Sequence, residues 1–366
     1  MEKIMPNRLD RGFFKYQDEF EKKAIEVLRS GWYILGNELK AFEEEFAAYV
    51  GTKYCAGVGN GLDALTLAFR ALEIGTGDEV IVQSNTYIAS VMGATINGAT
   101  PVFCEPDEYY LIDTKKIESL ITNRTKAILV VHLYGQATKM DDVLALCKKY
   151  NLRLVEDCAQ SHGAKYKGKM TGSFGDIGCF SFYPTKNIGA FGDGGAVTTD
   201  DAELDAKIRM IRNYGSEKRY YNKVIGVNSR LDEMQAGLLR VRLSHAEEMT
   251  VEKQAIGRKY YEKINNPLIV KPETREDCGH VYHQFVIRCK ERDRLAEYLK
   301  SYNIGTIIHY PIPPHLAEGY AYLGFKVGDY PIAERYADEV LSIPIYNGMT
   351  EEEQNFVIEK INAFTV

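Results

Sequence analysis

Residues 181–195 read SFYPTKNIGAFGDGG, and about one supersecondary unit earlier residues 153–160 read RLVEDCAQ. Each segment starts with a short apolar run that is typical of a buried strand. The first run leads into the carboxylate of Asp157, and the second is followed by Lys186. Because side chains just past the carboxyl ends of parallel strands meet at one edge of an open α/β sheet, we expect Asp157 and Lys186 to lie close together.

The chain around these two segments alternates between strand and helix patterns. Apolar residues recur at helical spacing after the first strand, as at Leu62, Leu65 and Phe69. The sequence therefore predicts an α/β fold, a mainly parallel sheet covered by helices. Its predicted strands are residues 54–58, 79–83, 101–104, 127–131, 153–156, 178–182 and 196–199.

The last third of the chain has a different pattern of predicted strands and helices. A helix over 201–212 is followed by a polar stretch rich in Tyr and Lys, and then by one long helical pattern over 231–264. Strands are predicted at 283–288 and 306–310, with a helix over 291–302 between them. We predict a large cofactor-binding domain over 1–245, including the N-terminal segment, and a smaller α+β domain over 246–366.

Composition narrows the class of protein. The chain has 366 residues, 45% hydrophobic and 26% charged, which is ordinary for a globular protein. Its net charge of −6 argues against nucleic acid and anionic membranes as partners. Residues 1–6 lack the apolar core of a signal peptide, and the seven cysteines form no Cys-x-x-Cys pair. We expect a cytoplasmic protein with reduced thiols that acts on small molecules.

Residues 57–61, GVGNG, follow the first strand and open a helix. The backbone N–H groups of Gly61 and Leu62 would point at an anion such as phosphate. A dinucleotide-binding loop is disfavoured because Leu62 stands where its third glycine belongs, and a P-loop is disfavoured because Gly-Lys-Ser/Thr is absent. A simple tight turn stays the alternative.

Asp157 and Lys186 together suit pyridoxal 5'-phosphate. A carboxylate beside the ring nitrogen keeps that nitrogen protonated, and a lysine amine can bind the aldehyde. Gln160, one short turn after Asp157, could reach the ring hydroxyl. The alternatives are a helix-capping Asp157 and a Lys186 that extends to water, as most lysines do.

Several ordered motifs make the chain resemble the DegT/DnrJ/EryC1/StrS sugar aminotransferases, pyridoxal phosphate enzymes of fold type I. These motifs are GWYILG (31–36), GNGLDA (59–64), NTYIA (85–89), HLYG (132–135), EDCAQSHG (156–163), residues 181–195 and NSRLDEMQ (228–235). The resemblance implies a seven-stranded, mainly parallel large domain, a small C-terminal domain, and a homodimer with shared active sites.

The resemblance also implies residue roles. Lys186 would bind the cofactor covalently and move the proton, while Asp157 would pair with the ring nitrogen. Pyridoxamine 5'-phosphate would carry the amino group from L-glutamate to a nucleotide-linked keto-sugar. The other implied cofactor contacts are Gly61, Leu62, Tyr87, Gln160, Ser181 and, on the neighbouring subunit's cofactor, Asn228. Substrate contacts are expected at Tyr183, Arg219, His309 and Tyr310.

Three functional alternatives remain. Lys186 favours amino transfer, because related sugar dehydratases carry His there. Residues 219–223 lack the His that many relatives have before Asn228. Together with residues 85–89, 160–162 and 59–61, this departure resembles the enzymes that aminate C3 of a dTDP-linked 3-keto-6-deoxyhexose more than those that aminate C4. The rivals are a C4 aminotransferase for a UDP- or dTDP-linked 4-keto sugar, and a non-catalytic sensor that binds the cofactor or sugar nucleotide.

Two groups of polar side chains could form either a ligand-binding site or part of the structure. A basic cluster suits a nucleotide diphosphate by charge, with a solvated helix end as the alternative; its members are Arg209, Arg212, Lys218, Arg219 and Arg230. Cys278, His280 and His283 suggest a metal, but residues three apart on a strand face opposite sides, so we predict no metal site.

Overall fold

The computed structural model describes residues 3–365. The outermost ends of the two predicted domains, Met1, Glu2 and Val366, lie outside the described residues. Strands β1 to β9 are Tyr54–Val58, Glu79–Gln83, Thr100–Cys104, Thr125–Val131, Arg153–Asp157, Lys165–Tyr166, Lys169–Met170, Ile177–Ser181 and Gly195–Thr199. Strands β10 to β14 are Ser216–Lys218, Tyr221–Asn222, Cys278–Gly279, Phe285–Arg288 and Val340–Ile343.

A seven-stranded sheet forms the centre of the fold, in the order β1-β9-β8-β5-β4-β2-β3. Strand β9 is antiparallel to both neighbours, whereas the pairs from β8 to β3 are parallel. All seven predicted strands are present; four are longer than predicted by one or two residues, and the strand predicted at 178–182 is shifted by one residue, to Ile177–Ser181. The predicted fold class, an α/β protein with a mainly parallel seven-stranded sheet, is confirmed.

Helices cover both faces of this sheet. In chain order, α1 to α8 are Leu9–Phe14, Gln17–Ser30, Asn37–Val50, Gly61–Ala71, Ile88–Thr95, Thr114–Ile117, Met140–Tyr150 and Ala202–Ile211. Helices α9 to α13 are Glu233–Ser244, Ala246–Lys263, Arg292–Ser301, Pro331–Glu339 and Glu351–Ala363. The residues of α4, α5 and α8 share one apolar cluster with the sheet, while α3 and α9 contribute to another.

A separate apolar cluster is built mainly from residues 256–364 around the antiparallel pair β13 and β14. Two predictions here are wrong. Residues 306–310 form no strand, since only Ile307 bridges to Ser342 and Pro311, which has no N–H, follows them directly. The single helix over 231–264 is two helices, because the chain turns at His245.

His245 marks that break through tertiary contacts. Its ring stacks on Tyr16 with centroids 3.8 Å apart, and its Nε2 lies 3.0 Å from Glu19 Oε1. The break coincides with the predicted boundary at residue 245, but the division into two domains stays a prediction. Within residues 3–365, every helix is too short or too polar to cross a membrane.

A buried ion cluster lies beneath the first strand-to-helix turn. The Glu43 carboxylate accepts hydrogen bonds from Arg212 at 2.5 Å, Arg209 at 2.6 Å and the Gly57 N–H at 2.8 Å. Arg212 also donates to the Gly57 carbonyl at 2.6 Å. Both arginines are paired with Glu43, Arg212 in the core and Arg209 with its side chain 36% exposed, so this pairing favours a structural role for them over diphosphate binding. They anchor the turn GVGNG instead.

Candidate active site

Asp157 is the last residue of β5 and lies at the carboxyl edge of the sheet. Its side chain is 5% exposed, and both oxygens accept hydrogen bonds. Oδ2 accepts from the Ser90 hydroxyl at 2.7 Å, and Oδ1 accepts from the Ala159 N–H at 3.0 Å. Burial raises the pKa of Asp157, and these two hydrogen bonds and the charge of Lys186 oppose the rise.

The neighbouring carboxylate, Glu156, faces the other side of the strand and is fully buried. It accepts hydrogen bonds from His132 Nε2 at 3.0 Å and from three backbone N–H groups between 2.7 and 2.9 Å. The Thr138 N–H donates to His132 Nδ1, so Nε2 carries the proton. Glu156, His132 and Cys158 lie within metal-binding distance of one another, but these hydrogen bonds already account for the carboxylate.

Lys186 lies in the connection between β8 and β9, and its backbone N–H donates to the Tyr183 carbonyl at 2.8 Å. The connection returns the chain to the same sheet edge as Asp157. Burial lowers the pKa of the Lys186 amine from 10.5 to about 8, and the charge of Asp157 opposes this change. The amine can therefore lose its proton near neutral pH, as a nucleophile or general base must.

The predicted phosphate-binding residues meet at the N-terminus of α4. Asn60 caps this helix by accepting from the Asp63 N–H at 2.9 Å, so the N–H groups of Gly61 and Leu62 stay available. A Cβ at Gly61 would lie 2.5 Å from the Ser181 Cβ, which brings the Ser181 hydroxyl against the turn. The requirement for glycine here is thus steric.

Three predicted residues form a contiguous wall beside Asp157. Gln160 accepts from the Tyr134 N–H at 2.7 Å, and its amide donates to the Tyr310 hydroxyl at 2.9 Å. The rings of Tyr310 and Tyr87 are 5.0 Å apart, and the Tyr87 side chain is 51% exposed. The structure thus groups Gln160, Tyr310 and Tyr87, as the resemblance implies.

His309 and Tyr183, two further residues predicted to contact the substrate, differ in their exposure to solvent. His309 is partly buried; Ser342 Oγ lies 2.8 Å from its Nδ1 and Gln284 Nε2 3.0 Å from its Nε2. Burial and the charge of Lys186 lower the pKa of His309 to about 4, which makes it neutral at physiological pH. Tyr183 is 53% exposed and open to a ligand.

Arg219 and Asn228 lie in the segment between α8 and α9, and the residue after Asn228, Ser229, accepts a hydrogen bond from the Gly59 N–H at 3.0 Å. Arg219 lies in the tight turn between β10 and β11, against the Tyr220 ring at 5.0 Å, and Asn228 forms an isolated bridge with Asn213. Both are exposed. Exposed apolar side chains accompany them, with Tyr220 at 82% and Ile225 at 84%.

Lys253 of α10 is a neighbour of this site that the sequence motifs do not include. Lys253 is 4% exposed, and its amine donates to Asn187 Oδ1 and to the His283 carbonyl, both at 3.1 Å. Burial lowers its pKa to about 7. Asn187 directly follows Lys186, so Lys253 anchors the Lys186 connection to α10. Nothing in the sequence marks this lysine among many.

The residues present suit pyridoxal 5'-phosphate. A helix N-terminus and a hydroxyl at Gly61 and Ser181 match a phosphate, and Asp157 matches a ring nitrogen. Lys186 supplies an amine of lowered pKa for the aldehyde, and Tyr87 offers an aromatic face. This donor set is that of an organic phosphate with a basic ring and not that of a metal.

Burial of Lys186 leads to a stability prediction. Because the folded-state pKa of about 8 lies below the ordinary 10.5, the unfolded chain binds more protons between these values. Below pH 8 the fold carries the full penalty, about 3 kcal/mol at 1.36 kcal/mol per pH unit. We expect the cofactor-free Lys186→Met variant to exceed the wild type by about this free energy of unfolding at pH 7.

The measurement is chemical unfolding of both cofactor-free proteins at pH 7 and pH 10. At pH 10 the difference should fall below about 1 kcal/mol, since the folded-state amine is then neutral and the unfolded-state amine is close to its own pKa of 10.5. Lys148→Met, which replaces an exposed lysine, is the matched control and should show no such pH dependence. Equal stability of the wild type and Lys186→Met at pH 7 would contradict the prediction.

Comparison with known proteins identifies the family to which the chain belongs. A model of the DegT/DnrJ/EryC1/StrS aminotransferase family matches residues 15–362. The chain belongs to this family. The family predicted from the sequence motifs is therefore confirmed, and so is the class of enzyme, an aminotransferase.

Among its relatives in the family, the dTDP-3-amino-3,6-dideoxy-alpha-D-galactopyranose transaminase of Aneurinibacillus thermoaerophilus is 53% identical over 96% of both chains. The erythromycin biosynthesis sensory transduction protein EryC1 of Saccharopolyspora erythraea is 43% identical over 97% of this chain and 98% of its own. The crystal structure of S. venezuelae DesV in complex with a ketimine intermediate superposes with a TM-score of 0.97 at 44% identity, covering 99% of this chain and 98% of that one.

Proposed function

We propose that this chain is a pyridoxal phosphate-dependent aminotransferase that moves the amino group of L-glutamate to C3 of a dTDP-linked 3-keto-6-deoxyhexose. The observation that carries the proposal is the convergence of Lys186 and Asp157 at one sheet edge beside the Gly61 turn. The choice of C3 and of dTDP is supported by the 53% identical transaminase of dTDP-3-amino-3,6-dideoxygalactose.

Each residue has a chemical task in this proposal. When bound, the cofactor supplies an electron sink for the carbon that carries nitrogen. Asp157 would hold the positive charge at the ring nitrogen, while Gly61, Leu62 and Ser181 would bind the phosphate. Lys186, whose pKa is lowered to about 8, can take a proton from the substrate carbon and return it.

The wall of Gln160, Tyr87 and Tyr310 would orient the ring and exclude water from one side. Gln160 already donates to an oxygen, the Tyr310 hydroxyl, and the same amide would serve the ring oxygen. His309 is neutral and hydrogen-bonded, so it would contact the sugar without adding charge. Tyr183, 53% exposed, would contact the nucleotide-linked sugar at the entrance.

We further propose a cytoplasmic homodimer with shared sites. Arg219 and Asn228 are exposed, and their segment carries apolar side chains such as Ile225, which is 84% exposed. In a dimer, Asn228 would reach the phosphate of the partner's cofactor, and Arg219 would contact the substrate there. A second copy of the chain would cover the apolar residues around them.

The proposal makes a prediction about substrates. Purified protein loaded with cofactor should aminate a dTDP-3-keto-6-deoxyhexose in the presence of L-glutamate, with the amine at C3 by mass and NMR coupling pattern. Parallel reactions with UDP- and dTDP-linked 4-keto sugars are the controls. Amination of only the 4-keto sugars would contradict the choice of carbon.

A simpler step separates an enzyme from a sensor, the role that the name of EryC1 suggests for that relative. The enzyme should gain a visible absorbance band with pyridoxal phosphate, and glutamate should remove the band. A protein that gains the band but keeps it in glutamate would be a binder without amino transfer. Without any band, the whole proposal would be wrong.

A further inference from the structure

A chain of three buried side chains ends on Asp157. The Ser90 hydroxyl donates to Asp157 Oδ2 at 2.7 Å, and Thr86 Oγ1 lies 2.8 Å from Ser90 Oγ. Ser90 and Thr86 are each 1% exposed, and Asp157 is 5% exposed. Buried hydroxyls are placed by their hydrogen bonds, so this chain is part of the fold.

The direction of these hydrogen bonds follows from chemistry. An ionised carboxylate can only accept, so the one Ser90 proton is used toward Asp157. The Thr86 hydroxyl must then donate to Ser90 Oγ. Both donors point along the chain toward the carboxylate, and such aligned bonds strengthen one another in a low-dielectric site.

Helix α5 gives Ser90 a fixed position. A Cβ at Gly93 would lie 2.4 Å from the Leu65 Cβ, so α5 packs closely on α4. Gly61 begins α4, and Tyr87 is the N-cap of α5. The same rigid helix pair therefore carries the predicted phosphate turn, the predicted ring contact and the hydroxyl that holds Asp157.

We propose that Ser90 is a positioning residue for amino transfer, which orients the Asp157 carboxylate and keeps it ionised, with Thr86 supporting Ser90 from behind. The inference rests on the proposed function, since it assumes that Asp157 serves a cofactor ring nitrogen.

The electrostatics of the site support this role. Burial raises the pKa of Asp157, and the Ser90 hydrogen bond is the strongest influence that lowers it. The charged or titratable groups around Asp157 are Lys186, His132, Tyr310, Cys158 and Cys179. Of these, Lys186 and His132 also lower its pKa, so Ser90 does not act alone.

The test compares Ser90→Ala, Ser90→Thr and Thr86→Val in the cofactor-loaded protein. Ser90→Ala should slow the reaction with glutamate by about tenfold to a hundredfold, the usual effect of losing a hydrogen bond to a buried charge. It should also weaken pyridoxamine phosphate binding in a calorimetric titration and shift the acidic limb of the rate profile to higher pH. Ser90→Thr should restore the rate, and Thr86→Val should lower it less than Ser90→Ala.

Ser119→Ala, which replaces an exposed serine, is the matched control and should match the wild type. A wild-type rate, binding constant and pH profile in Ser90→Ala would overturn the inference while leaving the proposed function intact. Equal losses in Ser90→Thr and Ser90→Ala at unchanged unfolding free energy would assign the effect to packing and overturn it too. Should Ser90→Ala fail to fold, a wild-type pH profile in Thr86→Val decides against it. A wild type without a cofactor band would instead refute the proposed function.

Discussion

Lys186→Ala is expected to lower the amino transfer rate by more than about four orders of magnitude, because it removes both the nucleophile and the general base. Alanine cannot bind the aldehyde and cannot carry a proton to or from the substrate carbon. The phosphate and ring contacts, Gly61, Ser181 and Asp157, are untouched. The variant should therefore still bind pyridoxamine phosphate, as measured by calorimetry beside a single-turnover assay.

The matched control is Lys148→Ala, an exposed lysine whose loss should leave both rate and binding unchanged. Turnover within about a hundredfold of the wild type in Lys186→Ala would remove this residue from its role. Loss of pyridoxamine phosphate binding together with turnover would indicate that the site itself collapsed, and would argue against a preformed set of contacts.

Asp157→Asn is expected to reduce the rate of the glutamate reaction by between about 100-fold and 1000-fold, the usual effect of removing one electrostatic contact that stabilises charge in the reaction. The amide has nearly the same shape and can still accept from Ser90 Oγ, but it carries no charge to balance a protonated ring nitrogen. The reaction is followed by loss of the visible cofactor band under single-turnover conditions.

A second measurement on this variant separates chemistry from folding. Burial raises the pKa of Asp157 above its ordinary value of 3.8, so ionisation of this carboxylate destabilises the fold. The destabilisation increases as the pH rises from 3.8 to the folded-state pKa and is constant at higher pH. Cofactor-free Asp157→Asn should therefore be at least as stable as the wild type at pH 7. Asp338→Asn, at an exposed aspartate, is the control. A variant that is both slow and unstable would contradict the assignment to catalysis.

Local sequence patterns were sufficient for the sheet and for the two central residues. Each strand is a short apolar run between turns, and Asp157 and Lys186 follow such runs, so the geometry of parallel sheets brings them to one edge. The grouping of Gln160 with Tyr310 depended on family motifs, because 150 residues separate them.

Contacts between distant segments were not predictable in the same way. Arg209 and Arg212 looked like ligands for a diphosphate until Glu43, 166 and 169 residues away, was found to neutralise them. Lys253 and Ser90 carry no local mark, since one is a lysine in a polar helix and the other a serine near a helix start. Their partners, Asn187 and Asp157, are chosen by packing.

The saturated Glu156 carboxylate has a consequence for the entropy of cofactor binding. Four hydrogen bonds immobilise this residue and with it the end of β5, so the next residue, Asp157, is ordered before any ligand arrives. Asp157 therefore loses its conformational entropy when the protein folds, and this loss does not reduce the free energy of cofactor binding. Glu156, which has no proposed role in the chemistry, thus preorganises the Asp157 carboxylate.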